Sequence, residues 1–259
     1  MVTGLVKGYR LSGQPSLFGH ADVIGFGTGD FYLEEIPREV ANKIIIKNHY
    51  SGKVYAATYI NLGLYMDNSL LGVLQYGYAM NPASQASVVA NTAIDEYLEL
   101  NRMWLDDDCP RNSESKALSY SIKYIKKKYP QIKWIQSFAD ERCGLLGVVY
   151  QAANFGYYGS HVQRFFTLDG VAYHRSLMSR DPSLSKTAAA IQARKDEAVE
   201  SRINQYRYLY FIKKKSKPDC KLKEKPYPKK AKTLESEGKL GFSNLKTEGK
   251  TSIVINVTQ

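Results

Sequence analysis

Residues 96–105 read EYLELNRMWL, 106–112 DDDCPRN, 113–129 SESKALSYSIKYIKKKY, 132–138 IKWIQSF and 145–156 LLGVVYQAANFG. In the first stretch Leu98 and Leu100, and less regularly Met103 and Trp104, are the apolar positions of a strand. The second is a loop of the size that holds a phosphate. Asn112 or Ser113 can cap a following helix, whose Leu118, Ser121, Ile122 and Ile125 stand at i, i+3, i+4 and i+7, with Pro130 after its end. Residues 132–138 are the next strand. A strand–helix–strand unit predicts a parallel pair joined by a right-handed crossover. A second helix is expected over 145–154, with Gly156 where a C-terminal cap belongs. Arg102, Ser113, Ser115, Asp140 and Tyr150 stand at the joints of this unit.

Outward from this stretch, the first 30 or so residues are rich in turn formers and weakly periodic, which predicts a loop-rich entry. Gly25-Phe26-Gly27-Thr28-Gly29 reads as a turn, because no clear strand precedes it and no helix follows. A helix is expected over 37–47, with Val40, Ile44 and Lys47 on one face and Ala41 and Ile45 beside them. Residues 55–65 and 69–80 read as paired strands around an Asp67-Asn68 turn. Residues 81–93 are a loop or short helix. Asp169-Gly170 marks a hairpin between strands at 164–168 and 171–175. Residues 185–203 suggest a helix, 206–212 a strand, and the chain then turns basic. This divides it into a domain over 1–212 and a basic, partly flexible extension over 213–259, of which 253–257 is a candidate short strand.

The chain has 259 residues, 44% of them hydrophobic, enough for a substantial core. With 36 Lys and Arg against 25 Asp and Glu, the net charge is +11. That favours either a polyanionic partner, nucleic acid first, or a generally solvated basic surface. Cys109, Cys143 and Cys220 share no metal-binding spacing, and so few thiols in an odd number point to a reducing compartment. No basic start followed by an apolar run suggests a signal peptide, and no stretch approaches membrane-spanning length. A soluble cytosolic protein is expected.

Several residue groups carry chemistry. The helix beginning near Ser113 points unpaired amides at the loop, where Arg111, Asn112, Ser113, Ser115 and Lys116 gather. This is either an anion pocket or an ordinary N-cap with a basic first turn. Asp140 follows a strand end, a usual ligand position in α/β sheets. Tyr150, one of 20 tyrosines, is either a proton donor or a half-buried core side chain. His49 and Tyr50 end a helix and offer, with Asp140, an imidazole, a phenol and a carboxylate of the kind that holds iron. A helix-terminal His beside the dipole is the alternative. His20, His161 and His174 form no zinc-hydrolase pattern. Lys213, Lys214, Lys215, Lys229 and Lys230 would track a phosphate backbone without reading sequence, or form a plain solvated tail.

Asn48–Gly52, Leu100–Trp104, Arg111–Ser115, Ser137–Asp140, Val149–Phe155 and the block 206–230 with its Pro-Tyr-Pro-Lys end together resemble the Mom DNA-modification proteins of Mu-like phages. The likeness spans about residues 35–230. It implies a GNAT-like acyltransferase fold, of class α/β (α+β), with a mixed central sheet flanked by helices. It implies conversion of adenine in double-stranded DNA to N6-carbamoylmethyl-adenine, which hides phage DNA from restriction in the bacterial cytoplasm. It also implies iron at His49, Tyr50 and Asp140, and active-site or cofactor positions at Tyr65, Arg102, Ser115 and Tyr150. A homodimer is a further expectation. Acetyl-CoA is the donor such a fold suggests, yet no glycine-rich loop for it is present. Leu145 follows Gly144 where family members often carry His. The implied product places a methylene on N6, whereas acyl transfer would place a carbonyl carbon there. A metal step or an activated-methylene donor follows from that difference. The rival activities are ordinary N-acetylation of a protein or small amine, and DNA binding without catalysis.

Overall fold

The computed structural model describes residues 6–15, 21–141, 146–178 and 180–229. Among these, ten strands form one sheet: β1 (Gly8–Pro15), β2 (Ala21–Gly27), β3 (Phe31–Glu35), β4 (Thr58–Met66), β5 (Ser69–Gly77), β6 (Tyr97–Leu105), β7 (Trp134–Asp140), β8 (Gly156–Leu168), β9 (Val171–His174) and β10 (Val199–Phe211). Their order is β1-β2-β3-β4-β5-β6-β7-β10-β8-β9. Every neighbouring pair is antiparallel except β6 and β7. The helices are α1 (Arg38–Asn48), α2 (Gln85–Val88), α3 (Ser113–Lys128), α4 (Val148–Ala152) and α5 (Lys186–Ala193). The mixed sheet flanked by helices is thus the observed architecture. No helix among the described residues is long and apolar enough to cross a membrane.

Two turns formed as the residues require. Asp67 and Asn68 take φ of 47° and 65°, the left-handed pair that closes a two-residue hairpin between β4 and β5. Asp169 and Gly170 do the same between β8 and β9, at 51° and 73°.

The parallel pair sets the site. β6 and β7 are joined only from Tyr97↔Trp134 to Glu99↔Gln136. Beyond Glu99, β6 stays bonded to β5 up to Leu105, and β7 to β10 up to Asp140, so the sheet splits between them. At the split β6 carries a bulge: Tyr76 faces Leu100, but Gln75 faces Arg102, with Asn101 as the extra residue.

On one face α3 buries Ala117, Leu118, Ser121, Ile122, Tyr124 and Ile125 in the main core with Leu64, Leu74, Tyr76, Leu98, Leu100 and Ile135. On the other face α1 sets Ala41 and Ile45 against Val73, beside Trp104. The stripe on α1 differs from the expected one, since Val40 is exposed and Ala41 is buried. Ile44-Ile45-Ile46 is apolar at every phase, so the pattern left the facing side open, and contact with Val73 selected the small Ala41.

Five expectations are corrected. The entry over residues 1–30 contains β1 and β2 rather than loop. Gly25 and Gly27 lie within β2, where a Cβ would fall 2.0 Å from the Leu33 carbonyl oxygen and 2.4 Å from Tyr32 Cα, so close approach of β3 requires them. The helix expected over 185–203 stops at Ala193. Arg194 closes its end through Asp169 and Glu197, at 2.6 Å each, and residues 199–205 join β10 by pairing with the long β8. Gly156 opens β8, while Asn154, at φ 63°, takes the left-handed position after α4. The α4 turn itself is shorter than expected and begins after Gly147. The candidate strand at 253–257 lies outside the described residues.

Residues 213–227 lie against the body. Val89 bridges Cys220, Tyr157 bridges Lys225, and the Tyr227 hydroxyl donates to the Phe155 carbonyl at 2.8 Å. Ala79, Val88, Val89, Tyr97, Trp134, Tyr158 and Leu209 form a second core there, on the α1 face of the sheet.

Candidate active site

The split between β6 and β7 has a different surface on each face of the sheet. On the α1 face, alternation places Glu99, Gln136, Phe138 and Arg207 together. Gln136 Nε2 donates to Glu99 Oε2 at 2.7 Å, and Arg207 Nη1 donates to Gln136 Oε1 at 3.2 Å. Arg207 also lies 4.9 Å from the Phe138 ring centre, and Phe138 meets His161 edge-on at 5.3 Å. His161, Gln163 and His174 continue the polar row, Gln163 bonding both rings at 2.9 and 3.0 Å. Burial lowers the pKa of both histidines, with the Arg207 charge adding to the effect at His161.

The near wall is the segment after α1. Arg102 donates from Nε to the Lys53 carbonyl at 3.2 Å and from Nη1 to the Asn101 carbonyl at 2.7 Å, and stands 5.5 Å from the Tyr55 ring centre. His49 and Tyr50 are in ring contact at 4.3 Å. His49 Nδ1 is taken by Ser51, 2.8 Å from Oγ and 3.1 Å from N. Burial, then the Arg102 charge, pushes the imidazole down to about 4, so it is neutral near pH 7. Lys53 Nζ reaches within 5.1 Å of the Tyr173 ring centre on β9, which brings this segment across to the β8–β9 hairpin. Polar and aromatic side chains thus gather on the α1 face where β6 and β7 part.

Glu99 is the group that the sequence reading passed over. It keeps part of its surface open to solvent, yet its carboxyl is enclosed deeply enough that burial pushes it up to about 7, against Gln136, Asn101, Arg207 and Arg102, which pull it down. Its signal was a lone acid between Leu98 and Leu100, on the opposite parity from the core. Gln136 and Arg207 gave no comparable signal, because only the sheet order brings β10 beside β7.

On the α3 face, Tyr150 packs in α4 against Tyr208 and Phe155, at 5.3 and 5.7 Å between ring centres. It also acts electrostatically on the buried Tyr76, whose hydroxyl meets Ser121 Oγ at 2.5 Å. Tyr150 and Arg102 therefore occupy opposite faces of the sheet. Tyr65 is elsewhere: it stacks on Tyr32 at 5.1 Å and pairs with Leu70, beyond the end of β6.

Arg111, Asn112, Ser113 and Ser115 line one cleft of about 470 Å³ at the start of α3, with Asp30, Asp67 and Lys116. Asn112 takes φ 71° and makes no side-chain cap, and Ser115 Oγ donates to its carbonyl at 3.0 Å. The start of α3 suits one anionic group. The loop amides of Asp106, Asp108, Cys109 and Ser113 are bonded within the protein, Pro110 has none, and residues 106–108 are three consecutive aspartates.

For iron, the donor chemistry fits: a neutral imidazole with Nδ1 engaged, a phenol, and the buried carboxylate of Asp140. Asp140 stands at the end of β7, opposite Gln205. Among the described residues no three His, Cys, Asp or Glu side chains gather as a metal site. Of the expected DNA contacts, Lys214, Lys215 and Lys229 are exposed, Lys213 is half-buried, and Lys230 lies outside the described residues, as do Cys143, Gly144 and Leu145.

Comparison with known proteins was informative at the level of sequence. The Mom protein family model matches residues 30–229. The methylcarbamoylase mom of Escherichia phage Mu is 43% identical over 232 residues, which is 88% of this chain and 96% of that protein. Solved structures with similarity include an N-acetyltransferase from Staphylococcus aureus Mu50, at 14% identity and TM-score 0.42, covering 71% of this chain and 99% of that one. An acetyltransferase of the GNAT family from Streptococcus pneumoniae has 12% identity, TM-score 0.42 and the same coverage.

Proposed function

This chain belongs to the Mom protein family, and from that premise we propose that it converts adenine in double-stranded DNA to N6-carbamoylmethyl-adenine, shielding the DNA from host restriction. The observation that carries the reading is 43% identity to a methylcarbamoylase over nearly the whole of both chains.

The groups beside the split suit this chemistry. Adenine N6 is inside a base pair, so the base must leave the stack before it can react. Phe138, Tyr55 and Tyr173 offer faces for a flipped base, and Arg207 offers hydrogen-bond donors for its edge. N6 is a weak nucleophile because its lone pair is delocalised into the purine. A donor of the class X–CH2–CONH2, with X a leaving group, matches the product, because the new bond is to a methylene. Arg102 would hold the donor's amide or its leaving group, and Tyr150 would act from the opposite face. An anionic part of the donor has the start of α3 available, at Arg111 and Ser115. His49, Tyr50 and Asp140 are the residues that would hold iron, which would supply Lewis-acid or redox chemistry. Lys213, Lys214, Lys215 and Lys229 are proposed to contact DNA phosphates. The site of action is the cytoplasm of the phage-infected bacterium.

The test is mass spectrometry of nucleosides from DNA of cells producing the protein. A carbamoylmethyl group on deoxyadenosine is expected. Unmodified deoxyadenosine throughout, with acetylated protein or amine instead, would replace this reading with ordinary N-acetylation.

A further inference from the structure

Glu99 is the last residue of β6 that pairs with β7, so its carboxylate stands at the apex of the split, where the two strands part. Its two oxygens are held separately: Asn101 Nδ2 donates to Oε1 at 3.3 Å and Gln136 Nε2 to Oε2 at 2.7 Å. Each of these is a neutral amide donor, and each oxygen keeps a lone pair for a further N–H. The nearby guanidinium donors are directed elsewhere, Arg102 to the carbonyls of Lys53 and Asn101, and Arg207 to Gln136. Asn101 is the bulged residue, which ties the orientation of the carboxylate to the irregularity that opens the sheet. A deep carboxylate that retains contact with solvent, held by amides and not neutralised by a direct ion pair among the described residues, is suited to exchanging a proton with a bound molecule.

We propose that Glu99 is the proton acceptor for the adenine amine. This rests on the function proposed above. As N6 bonds to the donor's methylene, the CH2–X bond breaks, X departs with its electron pair, and the N6–H proton passes to a Glu99 oxygen. N6 goes from primary to secondary amine, one proton is transferred, and no oxidant or reductant is consumed. The proton then leaves to solvent, with which Glu99 keeps partial contact.

Two features support the assignment beyond position. The carboxyl ionises at about 7, with burial as the leading cause, so it accepts and releases a proton near neutrality. Four titratable groups face it: Tyr55 from the segment after α1, Tyr97 and Arg102 from β6, and Arg207 from β10. The two arginines stay charged and the two tyrosines stay neutral across the range in which Glu99 titrates. Glu99 is therefore the group among these that changes charge there.

The experiment compares the full chain with its E99Q and E99D variants, each produced in cells carrying a plasmid. The carbamoylmethyl-deoxyadenosine content of the DNA, the melting temperature and the affinity for duplex DNA are measured. Removing a general base costs about 100- to 10,000-fold. E99Q is expected to leave less than about 1% of the modified nucleoside while staying folded and binding DNA as the unaltered chain does. E99D, which retains a carboxylate at a shorter reach, is expected to recover part of the activity. Modification by E99Q at the unaltered level overturns the assignment. Loss of folding or DNA binding by E99Q also overturns it, by making Glu99 part of the scaffold. No modified nucleoside with the unaltered chain would sink the proposed function itself, and the assignment with it.

Discussion

The same substitution gives a prediction about stability that does not depend on activity. Glu99 is enclosed at the apex of the split, and burial raises its carboxyl from an ordinary 4.5 to about 7. A raised carboxylate holds its proton more tightly in the folded state than in the unfolded chain. The stabilisation from that proton is fully present below pH 4.5 and is lost as pH rises through 7. The difference between 4.5 and 7, at about 1.4 kcal/mol per pH unit, comes to about 3 kcal/mol. The glutamine of E99Q is a neutral isostere that does not titrate, so that variant lacks this dependence; its amide nitrogen meets one of the two donors, Asn101 Nδ2 or Gln136 Nε2, which adds an offset that does not vary with pH. Arg102 and Arg207 keep their charge over the whole range, and every other titrating group is common to both proteins. Urea unfolding of both proteins at pH 4.5, 6 and 8 is the assay. The stability of E99Q relative to the unaltered chain should improve by about 3 kcal/mol between pH 4.5 and 8, with most of the change between pH 5 and 7. A difference that stays constant with pH, or that moves the other way, would refute the reasoning that Glu99 is a desolvated carboxylate and not a salt-bridged one.

Gly147 takes φ 77° at the start of α4, and a Cβ there would lie 2.3 Å from the Tyr208 ring. Gly147→Ala is therefore expected to lose about 2–3 kcal/mol on thermal unfolding and to reduce DNA modification by displacing Tyr150; a variant as stable as the unaltered chain would show that the turn relaxes freely. Replacing Lys213, Lys214 and Lys215 together with alanine should weaken duplex binding and flatten the dependence of log affinity on log salt by about 0.9 for each phosphate contact removed. An unchanged slope would place the DNA on another surface.

How much of this was legible from the chain alone depended on whether neighbours in space were neighbours in sequence. The β4–β5 hairpin was readable because Asp67-Asn68 is itself the turn. The helix α3 was readable because its apolar stripe recurs locally at 3.6 residues, and the residues of that stripe are the ones it buries. The helix expected at 185–203 failed where a local preference met a distant partner: residues 199–205 pair with β8, some 40 residues earlier along the chain at Thr167 to His161.

The sequence by itself determined the strand–helix–strand unit, the basic balance and the motifs that align this chain with its family, since each is written in consecutive residues. The residues around the α3 start share one cleft because they lie within a few positions of one another. What only the tertiary structure decided is which side chains share the split: Arg102 but not Tyr65, and Glu99 with Gln136 and Arg207. Strand order places β10 between β7 and β8, and alternation then selects the face. The physical reason is desolvation. A glutamate in a strand is an ordinary surface acid until neighbouring strands and a loop enclose it, and the chemistry available to Glu99 follows from that enclosure.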